Sequence, residues 1–441
     1  MEKASNLSLD FNAKTRNGNT ALHWACIKGD SDIIKILIEN AVVFNIDLNA
    51  KTHCGQTAFH LVCQRSHPDK VKIIMKNASA LSIDLNTLDN TGRRALHWAC
   101  QLGHSDVVMI IMENASALSI DLNARDNDGM TAFHLACFKG HLDVVKIFME
   151  NAAALSIDLN VMNCIGWTGF HYACQRGHSN VVRIFMENAA DLRIDLNTKD
   201  NDDYSGFLYA CSYGHANVVK ILMENSSLLS IDVNAKRFEE TAFSLACQGG
   251  FSDVVKIFLE NAAALSIDLN VMNSNGWTGY HYACDCGHLD VVKIVMENAN
   301  VLMENGLILS IDLNAKTKKG NTGFHKACSY GYEKIVELTL NNSDNLKLDL
   351  TFKNNLGETG YQIAQKSKSK SVVDLIKFKR PDLQEPKVLK LSYFRCPMCK
   401  NPYREKMEVE HHIIGTHNMN IDMLKAIVAF GAIKMFEETI Q

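Results

Sequence analysis

One seven-residue pattern recurs along most of this chain at a nearly constant spacing, and it constrains the fold more than any other feature. The copies begin at Thr20, Thr57, Arg94, Thr131, Thr168, Ser205, Thr241, Thr278, Thr322 and Thr359, reading TALHWAC, TAFHLVC, RALHWAC, TAFHLAC, TGFHYAC, SGFLYAC, TAFSLAC, TGYHYAC, TGFHKAC and TGYQIAQ. The step is 37 residues, except for 36 into Thr241 and 44 into Thr322. A fixed period of this kind indicates stacked structural repeats, which we number as units one to ten.

Each unit carries the local signals of a turn followed by two helices. Turn-forming Asn, Asp and Gly residues precede the Thr, as in "DNDG" before Thr131. The Thr is suited to cap a short helix, "AFHLACFKG", and "HLDVVKIFMEN" predicts a second helix with one apolar face. Neither helix buries that face alone, so neighbouring units are expected to stack into one continuous core.

The units resemble ankyrin repeats in T-x-[LFY]-H-x-A-C, G-H-x-[DN]-V-V and I-D-[LV]-N-A, over roughly residues 1–378. The resemblance implies a mostly α-helical solenoid of about ten helix-turn-helix units with β-turn tips. The residue after the Thr is Ala or Gly where the family has Pro, and the period exceeds the usual length of about 33 residues. The extra residues, in "MENAAALSIDLN", are expected to lengthen the second helix or its outer loop.

Two places depart from the regular pattern. The tips of units six and seven carry Asp203 and Glu239 where other tips have Gly, so both tips are expected to reshape, with a local change in curvature. The seven-residue addition before Thr322, "VLMENGL", predicts a lengthened second helix in unit eight.

Histidines recur at two positions of the units and cysteines at a third. The resemblance implies that the first histidine bonds to its own Thr and to neighbouring backbone, and no acid or cysteine cluster recurs beside it at metal-ligand spacing. The repeated cysteines, from Cys26 to Cys328, are expected to be reduced and buried at a close helix contact. The histidines are His23, His60, His97, His134, His171, His281 and His325 at the first position, and His104, His141, His178, His215 and His288 at the second.

The resemblance also implies binding of protein partners by the turn tips and the exposed side of the first helix, the concave surface of the array. Aromatic residues are frequent energetic centres of protein interfaces. The candidates at these positions are Phe138, Trp167, Tyr204, Tyr213, Trp277 and Tyr330. The alternative is that such rings pack against the next tip. Trp24 and Trp98 are instead expected in the core.

A different motif follows the array in "FRCPMCKNPYREKMEVEHHIIGTH". Its C-x2-C-x12-H-x4-H spacing predicts one structural Zn²⁺ held by Cys396, Cys399, His412 and His417. With its small apolar positions, the segment resembles the C2H2 zinc finger family, which implies a ββα fold. We therefore predict an ankyrin array over residues 1–378, a basic linker over 379–391, a zinc finger over 392–418 and an amphipathic helix over 419–441.

The finger is a poor candidate for reading DNA. The positions that contact bases in the family are Glu405, Glu408 and His411, and carboxylates there meet phosphate repulsion. A single finger spans only about 3 base pairs. Protein recognition is therefore favoured, and nucleic-acid binding through the finger is the alternative.

The whole sequence favours a non-enzymatic adaptor that binds partner proteins through the array and uses the finger as an accessory module. It contains no phosphate-binding Gly loop and no nucleophile paired with a base outside the repeat histidines. The alternative is a nuclear transcription regulator whose finger contacts DNA. The net charge of −4 gives no general attraction to nucleic acid. Since neither a signal peptide nor an apolar run of membrane length is evident, a cytoplasmic or nuclear location without membrane association is expected.

Overall fold

A computed structural model describes residues 9–302 and 308–384, together with the backbone of three short strands near the C-terminus. Within this part of the chain, each unit contributes a first and a second helix. In units one to five the pairs are α1 (Ala21–Lys28) and α2 (Ser31–Glu39), α3 (Ala58–Gln64) and α4 (Pro68–Ala78), α5 (Ala95–Leu102) and α6 (Ser105–Asn114), α7 (Ala132–Lys139) and α8 (Leu142–Asn151), and α9 (Gly169–Gln175) and α10 (Ser179–Asn188). Unit six contains α11 (Gly206–Ser212) and α12 (Ala216–Glu224), and a short helix, α13 (Ser226–Leu229), follows α12. In units seven to ten the pairs are α14 (Ala242–Gly249) and α15 (Ser252–Asn261), α16 (Gly279–Cys286) and α17 (Leu289–Glu297), α18 (Gly323–Tyr330) and α19 (Glu333–Asn342), and α20 (Gly360–Lys366) and α21 (Lys370–Lys379).

The ends of the first helices follow from capping residues. In unit four, Thr131 has an extended backbone, and its hydroxyl accepts a hydrogen bond from the His134 N–H. The helix ends where Gly140 adopts a left-handed conformation with φ of 74° and its N–H returns to the last turn. The predicted helix boundaries in this unit are therefore confirmed.

The helices form two layers. Each first helix packs against the next first helix from α1 to α20, and each second helix packs against the next from α2 to α21. Phe133, Phe148 and Phe185 lie fully buried between the layers, and burying each such ring contributes roughly 2–3 kcal/mol. The predicted stack of two-helix units around one core is confirmed.

The extra residues of each unit lie in the outer loop. In unit four, α8 ends at Asn151, and the chain turns through Ser156, whose φ is 52°. The Leu155 N–H donates to the Asn151 carbonyl at 3.0 Å, and the Ile157 N–H donates to the Ala152 carbonyl at 2.9 Å. Of the two predicted placements, the outer loop is the observed one.

These loops are tied together by a ladder of asparagines from the "IDLN" motif. The Asn123 side chain donates to the Ser156 carbonyl at 3.0 Å and accepts from the Asp158 N–H at 3.0 Å, both in the next loop. Equivalent pairs join Asn49 to Ser82 and Asp84, and Asn197 to Ser230 and Asp232. Each amide therefore satisfies one donor and one acceptor of the following unit.

The first two residues of the seven-residue addition in unit eight, Val301 and Leu302, lie in a strand, so the prediction of a lengthened second helix is wrong. α17 ends at Glu297, after which β3 (Asn300–Leu302) pairs antiparallel with β4 (Ile308–Ser310). Val301 and Ile308 are β-branched residues, which favour strands.

In the C-terminal region, β5 (Leu391–Arg395) pairs antiparallel with β6 (Pro402–Tyr403) and with β7 (Met435–Glu438). The prediction of a helix over 419–441 is wrong for residues 435–438, because their backbone pairs with β5. The rest of that segment lies outside the described residues, as do the predicted zinc ligands Cys396, Cys399, His412 and His417. Between the array and β5, the described chain contains a 3-10 turn at Pro381–Leu383.

None of the helices in the described ranges is long and apolar enough to cross a membrane.

Candidate protein-interaction face

The turn tips and the exposed side of the first helices form a face that we call the tip face. At the tip of unit four, the Asp126 carboxylate accepts hydrogen bonds from the Asp128 and Met130 N–H groups at 3.0 and 2.9 Å. The Asn127 N–H then donates to the Thr91 carbonyl of the previous tip at 3.1 Å. Side-chain caps therefore shape each tip, and backbone bonds join it to its neighbour.

The first histidines anchor the tips. His134 Nδ1 accepts from the Thr131 N–H at 3.1 Å, and Nε2 lies 3.0 Å from the Trp167 carbonyl of the next tip. Because a carbonyl only accepts, Nε2 carries the proton and the ring is neutral. Burial lowers the pKa of His134 to about 4. The role implied by the resemblance is confirmed in this unit, and His171 holds the Tyr204 carbonyl in the same way at 3.1 Å.

The second histidines reach back to the preceding unit. His178 Nε2 lies 3.1 Å from the Phe138 carbonyl, and His215 Nε2 lies 2.7 Å from the Gln175 carbonyl. These bonds fix the C-terminal ends of the first helices, where Phe138 and Arg176 present their side chains. Both histidine rows therefore position residues of the tip face.

The repeated cysteines are buried, as predicted. Cys137 is fully buried, and a methyl group placed on Gly169 of the next unit would lie 2.9 Å from Cys137 Sγ. The predicted close helix contact is therefore present. Burial raises the pKa of the Cys26 thiol to about 12 and that of Cys137 well above its usual range, which suppresses thiolate chemistry.

Four of the six candidate partner-binding residues belong to one continuous set of rings, the aromatic row, made of Phe138, Trp167, Tyr172, Tyr204, Tyr209 and Tyr213. The centroid of Trp167 lies 4.9 Å from Tyr172 and 4.6 Å from Tyr209. Tyr204 stacks on Tyr209 at 4.6 Å, and Phe138 meets Tyr172 edge-on at 5.4 Å.

Arginines cover both ends of this row. The Arg176 guanidinium lies 4.3 Å from the Phe138 ring centroid, and that of Arg237 lies 4.5 Å from Tyr204. Within the row, Phe138, Trp167 and Tyr204 are half-buried, while Tyr213 is 50% exposed. The alternative prediction, packing of these rings against the next tip, is confirmed for Trp167, which contacts Tyr209, and the rings of the row also present an edge to solvent.

The other two candidates lie further along the array. Trp277 is half-buried against Tyr282, with ring centroids 5.0 Å apart, and Lys326 Nζ lies 3.9 Å from its ring centroid. Tyr330 is 58% exposed and stacks on Tyr332 at 5.8 Å. Neither has a ring contact with the aromatic row within the described residues.

The sequence interpretation missed Tyr172, Tyr209 and Tyr282, which follow the first-histidine position. Asn163 donates to the Tyr172 hydroxyl at 2.9 Å, while the Tyr209 hydroxyl donates to the buried Asp200 carboxylate. Burial, together with that hydrogen bond, raises the pKa of Tyr209. The available signal was Tyr at a position where units two, four, seven and ten have an aliphatic residue, because a buried hydroxyl requires a polar partner.

The core prediction is wrong for Trp24, which is 42% exposed. The equivalent Tyr172 and Tyr282 contact residues of the preceding unit, whereas none precedes unit one within the described residues. Trp98 is half-buried and not in the core. Its indole N–H donates to Asp89 at 2.9 Å, and the Arg93 guanidinium lies 5.3 Å from its ring centroid.

The tips of units six and seven differ from each other. Asp203 keeps the left-handed conformation of the usual Gly, with φ of 64°, so the predicted reshaping is wrong for unit six. Asp tolerates this region better than most residues. In unit seven, β1 (Lys236–Arg237) pairs with β2 (Glu240–Thr241) around Phe238 and Glu239, whose φ values are 45° and 69°. This tight turn is a reshaped tip, as predicted.

The match to a family model agrees with this architecture. The family model described as "Ankyrin repeats (3 copies)" matches residues 3–87, 41–124, 79–160, 115–200, 153–237 and 207–305. The solved ankyrin repeat domain of Bcl-3, of the IkappaB protein family, is 20% identical, with a TM-score of 0.46, and the match covers 55% of this chain and 99% of that one. No curated protein matches this sequence. On the family match, which spans more than half of its length, this chain belongs to the ankyrin repeat family.

Proposed function

We propose that this protein is a non-enzymatic adaptor that binds partner proteins through the tip face. The aromatic row carries this proposal. Its rings are held by their neighbours and by the histidine bonds to the backbone of Trp167 and Tyr204. A rigid set of rings loses little conformational entropy when a partner binds, and aromatic residues dominate interface energies.

We further propose that Cys396, Cys399, His412 and His417 hold one structural Zn²⁺ in an accessory module. The pairing of Phe394 with Tyr403 and of Arg395 with Pro402 supports this, because those strands flank the segment that contains both cysteines. Two thiolates and two imidazoles suit Zn²⁺, which would supply folding free energy to a small module. A second, tethered contact of this kind increases avidity for the same partner.

Photo-cross-linking from the full chain tests the adaptor role. A benzophenone amino acid replaces Tyr213 or Tyr330 in cells, and in a control chain it replaces Phe378, which is 85% exposed on the second helix of unit ten. We expect the same partner protein to be cross-linked from both tip-face positions and not from residue 378.

The purified partner then provides a quantitative check. Tyr213→Ala should weaken its binding by about 30-fold, corresponding to about 2 kcal/mol for a central aromatic residue, while Phe378→Ala should leave the affinity unchanged. A partner that binds both variants equally would contradict the proposal. Duplex DNA bound by the full chain at physiological salt would favour the nuclear regulator instead.

A further inference from the structure

A cleft lies between the tips of units eight and nine, apart from the aromatic row. Its volume is about 400 Å³, and its lining includes Trp277, Tyr282, Asn275, Lys318, Lys319 and Lys326. The Lys318 N–H donates to the Asn275 carbonyl at 2.9 Å, which ties the two tips together across the cleft. The site therefore combines two aromatic rings, amide groups and three lysines.

The nearby carboxylates are already occupied. Asp285 Oδ1 lies 3.1 Å from Lys326 Nζ in an ion pair. Glu240 accepts a hydrogen bond from the Tyr282 hydroxyl at 2.6 Å and lies 4.0 Å from the Arg237 guanidinium. Glu358 of the following tip is paired with Lys366.

No carboxylate of the described residues pairs with Lys318 or Lys319. Both are exposed, and neither forms an ion pair within the described part of the chain. The tip of unit eight, with Asn273, Ser274 and Asn275, contributes no acid. Two positive charges therefore stand at a cleft whose aromatic surface is only half-buried.

We propose that this cleft binds an acidic segment of a partner protein, with a Glu or Asp carboxylate at Lys318 and Lys319 and a neighbouring apolar side chain on Trp277. This inference rests on the proposed adaptor function and identifies the chemistry of one part of the partner. A peptide fits better than a long polyanion, because the exposed Asp202, Asp203 and Glu239 of the preceding tips repel extended negative charge.

The test uses the full chain labelled with 5-fluorotryptophan. The chain has four tryptophans, and only the Trp277 fluorine resonance should shift when the acetylated, amidated peptide Gly-Glu-Phe-Glu-Glu-Gly is added. A peptide with Gln in place of each Glu should bind at least about tenfold more weakly, and added salt should lower the affinity of the chain for the acidic peptide.

Charge-reversed variants locate the site. Lys318→Glu with Lys319→Glu should lower the peptide affinity at least about tenfold, and Lys318→Gln with Lys319→Gln should lower it less. The control, Lys35→Glu with Lys72→Glu, makes the same change in net charge at exposed positions of α2 and α4 and should bind as the parent does.

Three outcomes would overturn the inference: an unmoved Trp277 resonance, equal shifts with both peptides, or tighter binding of a 12-nucleotide DNA than of the acidic peptide. The adaptor role is judged separately. If a partner is cross-linked from residue 213 but the Trp277 resonance does not shift with the peptide, only the proposal about the cleft is refuted. Peptide binding without any cross-linked partner would refute only the role of the aromatic row.

Discussion

At the scale of single residues, Gly169 illustrates how closely consecutive first helices pack. Ala has a higher helix propensity than Gly, by about 1 kcal/mol in a helix interior and by less at Gly169, which is the first residue of α9. Its methyl group, however, would lie 2.8 Å from Phe133 Cε1 and 2.9 Å from Cys137 Sγ. Because overpacking a core costs about 1–3 kcal/mol, we expect Gly169→Ala to lower the free energy of unfolding by about 1–2 kcal/mol in urea titrations followed by circular dichroism.

The chain itself supplies the control for this substitution. Units three and four combine Leu96 with Ala132 at the positions that Phe133 and Gly169 occupy one unit later. Adding Phe133→Leu to Gly169→Ala should therefore recover at least half of the lost stability. If Gly169→Ala alone were as stable as the parent, residue 169 would have more space beside Phe133 and Cys137 than the structure shows.

The buried histidines should make stability depend on pH. Burial lowers the pKa of His134 in the folded state to about 4, whereas the unfolded chain has an ordinary pKa of about 6.5. Protons therefore bind preferentially to the unfolded chain. The stabilisation is fully present above pH 6.5 and is lost as the pH falls toward 4, by roughly 2 kcal/mol for this histidine at pH 5.

His134→Gln tests whether this histidine causes the pH dependence of stability. In unit ten, Gln362 Oε1 accepts from the Thr359 N–H at 2.8 Å, so Gln preserves the helix cap without titrating. We expect the variant to lose less stability than the parent between pH 7 and pH 5, as measured by urea midpoints at each pH. An identical pH dependence would mean that other groups cause the acid sensitivity.

Residue patterns with a repeated local cause were predictable from the sequence. The capping Thr, the first histidine and the buried Cys each recur with the same neighbours, so one physical argument served every copy. Trp24 failed because its exposure depends on the unit before it and not on its own helix. The asparagine ladder was missed because both of its bonds reach residues 33 and 35 positions away.

At the scale of elements, unit seven is the weakly tied member of the stack. Leu208 of unit six and Ser244 of unit seven stand where seven other units have the first histidine, and Phe251 of unit seven stands at the position of the second. Within the described residues, the Asn234 side chain makes no ladder bond to the next loop, and a cavity of about 240 Å³ lies beside it. Apolar helix packing continues through this unit, but most of the repeated histidine and asparagine hydrogen bonds between units are absent there in the described residues.

We therefore expect the array to open first at unit seven. In native-state hydrogen exchange, amides of α14 and α15 should exchange faster than those of α9 and α10, whose unit has the regular ties. Ser244→His should slow exchange in units seven and eight by about tenfold, because the new ring restores the bond to the Trp277 carbonyl.

The matched control is Ser244→Leu, which introduces the residue of unit six at the same position. It fills similar space without a hydrogen bond and should leave the exchange difference in place. Equal protection of units five and seven in the parent chain would contradict this assignment.

Predictions of element type were correct where the apolar periodicity was strong and wrong where it was interrupted. The paired helices follow from apolar spacing that every unit repeats. The seven-residue addition at residues 301–307 was misjudged because "MEN" resembles the end of a second helix, whereas the strand-forming residues around it decide the pairing. Phe238 and Glu239 form a turn that local propensity disfavours, so the change was indicated only by the loss of the tip Gly and by the missing residue in the repeat step.

At the scale of the whole molecule, the array and the predicted zinc module are expected to depend on different sources of stability. The array has a continuous apolar core, whereas a small finger relies on metal binding. All four tryptophans, Trp24, Trp98, Trp167 and Trp277, lie in the array. Their fluorescence therefore reports on the repeats alone, and metal analysis reports on the module.

We predict one Zn²⁺ per full-length chain, and chelation should leave tryptophan fluorescence unchanged while making residues 392–418 sensitive to protease. Cys396→Ser and His412→Ala should each lose the metal, because a site with three remaining ligands binds zinc far more weakly. His411→Ala is the matched control and should keep it, since the neighbouring helix position points away from the predicted ligand face. Zinc retained by Cys396→Ser, or lost by His411→Ala, would show that the ligand set is wrong, and fluorescence that changes on chelation would show that the array depends on the module for its fold.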